Sequence, residues 1–198
     1  AAILFRGLGN ILTLPGQVLT ASITSLLIAL ISTAVCICLA LVLSLSLAHS
    51  RLNTQKIAEG ISILGLSTSP LVVGTGLFLM IFPFVHPASL AIPVTAFVNA
   101  MMAMPFVLRV LMPAVREIYN DYLHLRLSLN MGRGVWLMRI VFPRLRRPIG
   151  FSVGLVAALS MGDFGVIALF SDPELQTLPL MLYRLMGAYR MDQAAAVA

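Results

Sequence analysis

SITSLLIALISTAVCICLALVLSLSLA, residues 22–48, contains no charged side chain, and the charge-free sequence extends back to Gly7. About 20 apolar residues in an α-helix cross a bilayer hydrocarbon core of about 30 Å, so this run is expected to be a first membrane span. The rest of the chain has the same character: 60% hydrophobic residues, 10% charged and a mean hydropathy of +1.00. Soluble domains are roughly 45–50% apolar and about 25% charged, and a soluble fold cannot hide the excess. The 198 residues therefore suit four or five membrane helices and need no second domain. The expected fold class is all-α, a polytopic transmembrane helical bundle.

Arg51 and Lys56 mark a polar break after the first span, and no Lys, Arg, Asp or Glu follows from Gly60 to Leu108. That stretch is too long for one crossing. Pro83, His86 and Pro87 divide it, because proline disfavours a continuing helix, giving spans of about 61–82 and 89–112. Pro70 and Pro105 fall inside them, where a packing kink is expected in preference to a gating hinge. A fourth span covers about 148–170. Acidic Ser171-Asp172-Pro173-Glu174 follows, then an amphipathic helix carrying Arg184, and a truncated span from about 192. With an apolar run starting at the carboxyl end and no initiator Met at the other, the chain is expected to be a piece of a longer polypeptide.

Seven arginines crowd the loop 113–147: Arg116, Arg126, Arg133, Arg139, Arg144, Arg146 and Arg147. Alternate loops lie on one side of the membrane, and those after spans one and three hold nine Lys/Arg, while those after spans two and four hold none up to Leu182. The positive-inside rule then puts the arginine-rich loop in the cytoplasm. Within it, Leu123, Leu125, Leu127, Leu129 and Met131 alternate with polar residues, a period of two. Leu, Arg and Met nevertheless favour helix, and a lone strand has no pairing partner. A short helix over 122–131 is expected, with Asp121 as N-cap and Gly132 just past its end. So short a helix is marginal in water and needs a partner surface. Gly134 to Phe142 is expected to form a second piece, with Trp136 at the membrane interface, ended by Pro143 before the basic anchor Arg144-Leu145-Arg146-Arg147.

Ile140-Val141-Phe142-Pro143 resembles the I-x-L-P end of the cytoplasmic loop in permease subunits of bacterial binding-protein-dependent ABC importers. In that family a Glu-Ala-Ala triplet and a Gly precede it; here His124-Leu125-Arg126 and Asn130 hold those places. The segment from Ser160 to Phe170 (SMGDFGVIALF), with Thr177-Leu178-Pro179, Leu182-Tyr183, Gly187-Ala188-Tyr189-Arg190, Asn99 to Pro105 (NAMMAMP) and Leu145 to Pro148, is similar to the second half of the thiamine-importing members. The resemblance implies a permease half in the bacterial inner membrane that passes thiamine or its phosphates. It also implies partners: a cytoplasmic ATP-binding subunit, a periplasmic substrate-binding protein, the other permease half and the lipid bilayer, with no nucleic acid. Tyr122, Leu123, Leu125, Arg126, Leu127, Leu129, Asn130 and Gly132 would then dock on the ATPase. Related permeases carry iron(III), polyamines or phosphonates, which are alternative cargoes.

Asp163 is a carboxylate inside the fourth span. Such a group costs on the order of 2.5–3.5 kcal/mol at the bilayer centre, so it should face protein or water; the flanking Gly162 and Gly165 would allow close helix approach. It reads either as a structural hydrogen-bond partner or, with Phe164 and Asn99, as lining of a translocation path. A membrane-embedded aspartyl enzyme would need a second membrane carboxylate, which the spans lack. No G-x-x-x-x-G-K-S/T phosphate loop is present, so ATP hydrolysis belongs to a separate subunit. Cys36 and Cys38 lie two apart on a helix and cannot pair, and the three histidines are scattered; no metal or cofactor is expected.

Overall fold

The computed structural model describes residues 16–48, 60, 68–84, 87–163, 165–170, 177–189 and 194. The elements are α1 (Gly16–Leu47), α2 (Pro70–Ile81), a 3-10 turn (Pro87–Leu90), α3 (Ala91–Ser128), α4 (Arg133–Trp136), a π turn (Leu137–Val141), α5 (Phe142–Met161), α6 (Gly165–Phe170) and α7 (Leu178–Gly187). Among the described residues there is no strand, and the all-α expectation holds. By length and composition three helical stretches can cross a membrane, Val18–Leu47, Ala91–Ser128 and Arg133–Leu169, with Pro70–Ile81 a shorter apolar helix. The protein is a multi-pass α-helical membrane protein. Residues 61–67 of the second span, Arg190 and the span from about 192 lie outside the described residues, Ala194 apart.

The burial pattern is the reverse of a soluble bundle. On α1 most buried positions are small, Ala21, Ser25, Ala29, Ser32, Cys36, Ala40 and Ser44, with Ile28 and Ile37 the large exceptions, while Leu19, Leu26, Leu30 and Val42 are exposed. Lipid tails are as apolar as leucine, so helices in a membrane gain by close backbone approach along small-residue seams and leave large side chains to the lipid. On α3 the seam runs every four residues, Ala91, Thr95, Asn99, Ala103, Val107, Leu111, Val115 and Tyr119, changing from small to large along the helix.

The chain forms two compact units. The first comprises residues up to Ile31, Pro70–Asn99 and from Leu159 onward. In it α2 packs on α6, and the close approach is made by Gly74, where an added Cβ would stand 3.3 Å from both methyls of Val166. Gly165 has ordinary contacts, its nearest neighbour being Leu71 at 3.7 Å. The second unit comprises Ser32–Ser69 and Ala100–Ala158. One of its cores joins Cys36, Ile37 and Ala40 to Ala100, Ala103, Val107, Leu111 and Val156; another joins Val115, Ile118 and Tyr119 to Trp136, Val141 and Leu145.

Several boundaries differ from the expectations. The first helix starts at Gly16 rather than near Ser22. Pro70 opens α2 instead of kinking a span, the position where its missing N–H costs least. No separate helix begins at Tyr122: α3 continues through Pro105 and Pro113 to Ser128, and Asp121 lies in its interior rather than capping anything. From Ala114 to Ser128 there is no Gly or Pro, so nothing stops the hydrogen-bond ladder where the apolar sequence ends. Pro143 does not break the chain either. The π turn just before it loosens the backbone, accommodating a ring that would otherwise press on the carbonyl four residues back. The fourth span is interrupted instead at Gly162-Asp163, between α5 and α6.

Candidate functional site

The arginine-rich region in the second unit turns on the end of α3. Asn130 has φ 47°, its N–H donates to the Leu127 carbonyl at 3.2 Å, and the Met131 N–H donates to the Arg126 carbonyl at 3.0 Å. This pair of reverse bonds is a Schellman closure, which needs a left-handed residue at the place Asn130 occupies. Asparagine is the side chain that best tolerates this conformation after glycine, so Asn130 can take a turn that glycine would otherwise supply. Gly132, expected to supply it, has φ −61°. Asn130→Val should therefore cost about 1–2 kcal/mol in thermal unfolding of the intact protein, with Asn130→Gly neutral or slightly stabilising.

Beyond this turn the chain folds back and seals itself with aromatic contacts. Trp136 is 1% exposed and meets Tyr119 edge-on, ring centroids 4.4 Å apart at 83°. Its side chain packs inside this unit, with Val115, Ile118, Val141 and Leu145. The Arg126 guanidinium lies 5.2 Å from the Trp136 centroid, and Arg144 sits 4.0 Å over the Tyr122 ring. Arg126 and Tyr122 are thus engaged within this unit rather than presented outward. Leu123, Leu125, Leu127 and Leu129 remain exposed, as do Asn130 and Gly132. A bare apolar tip on a well-held support is what the structure makes of the expected docking set. Next to it Glu117, Asp121, Tyr122 and Arg144 line a cavity of about 260 Å³.

In the first unit, Asp163 occupies the gap between α5 and α6. Its Oδ1 accepts the Gly165 N–H at 3.1 Å, closing the start of α6 as a capping carboxylate does. The Asn99 amide, turned with its nitrogen toward the carboxylate, donates to Asp163 Oδ2 and to the Thr95 carbonyl at 3.2 Å. In the opposite orientation its nitrogen reaches the Ser160 carbonyl at 3.5 Å and its oxygen faces a carboxylate, so the first orientation is assigned from the network. The sequence placed Asn99 and Asp163 in one group, and the structure brings them together; Phe164 lies outside the described residues.

Four hydroxyl residues that the sequence does not group with Asp163 complete this cluster. Ser25, Thr95, Ser160 and Thr177 line, with Asp163, a cavity of about 10 Å³, far smaller than the roughly 300–1,000 Å³ of organic-ligand pockets. Ser25 Oγ accepts the Leu178 N–H at 2.9 Å, tying α1 to the start of α7. The available signal was that hydroxyls recur inside otherwise apolar spans. Among the described residues no group of His, Cys, Asp and Glu could hold a metal ion, and both cysteines are free.

No family model matches the chain. Among curated proteins it is 40% identical over 131 residues to the thiamine transport system permease protein of Brucella abortus (strain 2308), covering 65% of this chain and 24% of that protein. It is 34% identical over 151 residues to the thiamine transport system permease protein of Escherichia coli (strain K12), 76% of this chain and 28% of that one. With the Salmonella typhimurium protein of the same description it is 34% identical over 179 residues, 88% of this chain and 33% of the other. The chain therefore spans between a quarter and a third of the length of these relatives.

Proposed function

We propose that this chain, a relative of thiamine transport system permeases, forms the membrane-spanning half of an ATP-driven importer that passes thiamine or its phosphates across the bacterial inner membrane. The observation that carries the proposal is identity of 34% sustained over 88% of the chain to such a permease, in a polytopic helical fold. The charge asymmetry of the loops orients the end of α3 toward the cytoplasm. There the leucine tip from Leu123 to Leu129, closed by Asn130, docks on a separate ATP-binding subunit. Burying each exposed leucine is worth about 1.5–3 kcal/mol, and the aromatic contacts behind the tip hold α3 against α4 and α5 so that a push on the tip is delivered to the spans. A periplasmic binding protein and the other permease half complete the machine.

In this scheme Asp163 and Asn99 are structural partners that hold the break between α5 and α6, since the cavity beside them admits nothing larger than a water-sized molecule. The deciding experiment is uptake of labelled thiamine by vesicles holding the intact permease, its ATPase and its binding protein. ATP-dependent accumulation is expected. Uptake of iron(III), a polyamine or a phosphonate in its place would refute the cargo while keeping the permease.

A further inference from the structure

The small polar cavity of the first unit has two hydroxyls that nothing among the described residues satisfies. Thr95 is 1% exposed and Thr177 4% exposed, and neither Oγ1 has a hydrogen-bond partner. Both line the same cavity. Thr177 stands at the N-cap position of α7 yet makes no side-chain capping bond, so its hydroxyl is not spent on the usual task of that position. Leaving buried hydroxyls unpaired is costly, about 1–3 kcal/mol each, and two facing one polar space call for a shared partner.

We propose that this cavity binds a single internal water that joins α1, α3, the break before α6 and the start of α7. Its volume of about 10 Å³ matches one water, which needs roughly 10–15 Å³ by this measure and two to four polar partners. The water's four hydrogen bonds are filled. The water accepts the O–H groups of Thr95 and Thr177 and donates to the Asp163 carboxylate, which has lone pairs beyond those facing Gly165 and Asn99, and to the second lone pair of Ser25 Oγ. A sodium ion fits the same oxygens less well, because it would occupy hydroxyl lone pairs and leave both threonine protons without an acceptor. The location supplies a further reason: non-helical backbone within a membrane span persists where it is buried in protein or lines a hydrated cavity, and Asp163, in the break between α5 and α6, lines this cavity.

Thr→Val substitution in the intact permease separates a hydrated site from a dry one by the sign of its effect. If the hydroxyls bridge a water, Thr95→Val and Thr177→Val each lower Tm, by about 2–4 °C for a domain of this size. The double variant then falls little further, since either change alone already releases the water, and Thr95→Ser, which keeps the hydroxyl, stays closer to wild type than Thr95→Val. If the cavity is dry, both valine variants leave Tm unchanged or raise it, because an orphaned polar group has been removed; that result overturns the proposal. Strict additivity of the two losses also overturns it. So does a Tm that rises when sodium chloride replaces choline chloride at equal ionic strength, which would assign the cavity to a cation.

Discussion

Replacing Leu125 and Leu129 together by glutamate is expected to abolish ATP-driven uptake while leaving the protein folded and inserted. Both side chains are exposed, at 42% and 62%, and neither belongs to the cores of the second unit, so nothing in the protein itself opposes the change. On the proposed docking, what is lost is contact with the ATPase. At about 1.5–3 kcal/mol for each fully buried leucine and a factor of ten per 1.4 kcal/mol, association should weaken by at least about 100-fold. Two carboxylates facing an apolar groove add a desolvation penalty. Co-purification of the ATPase with the intact permease and ATP-dependent uptake should fall together, with Tm held within about 2 °C of wild type, a surface change costing little. Retained co-purification would show that the leucine tip is not the docking surface.

The part of this arrangement visible in the sequence was the part that hydropathy controls. The helical state of 122–128 followed from residue propensities and from the absence of β-branched residues. Where α3 ends did not, because the limit of the apolar sequence near Met112 is a change of surroundings, not of backbone: the ladder continues until Asn130 takes the left-handed turn. Pro143 misled for a related reason. Proline removes one donor and crowds one carbonyl, and the π turn from Leu137 to Val141 accommodates both within a continuing helix. Asp163 is a partnered carboxylate as expected, but it is only half-buried, and the hydroxyls around it come from segments as far apart as Ser25 and Thr177. No local pattern links residues that meet only in three dimensions.

Trp136→Ala should be the most destabilising single substitution considered, at about 3–5 kcal/mol. The indole is the largest fully buried side chain among the described residues and belongs to the core formed with Val115, Ile118, Tyr119, Val141 and Leu145. Its removal leaves a cavity where α3, α4 and the π turn converge. It also deletes the edge-on contact with Tyr119, worth about 0.5–1.5 kcal/mol beyond area, and uncovers Arg126, whose guanidinium rests on the ring. Trp136→Phe provides the control. It keeps most of the apolar volume and discards Nε1–H, a buried donor without a partner, so it should cost less than half as much. Because Trp136 supports the helix end that carries the leucines, the alanine variant should lose coupling along with stability. ATPase turnover that no longer responds to the permease should appear at temperatures below the variant's own Tm, whereas in the phenylalanine variant it should remain coupled. Equal melting temperatures for Trp136→Ala and wild type, measured on the intact permease, would mean that this core does not hold the loop.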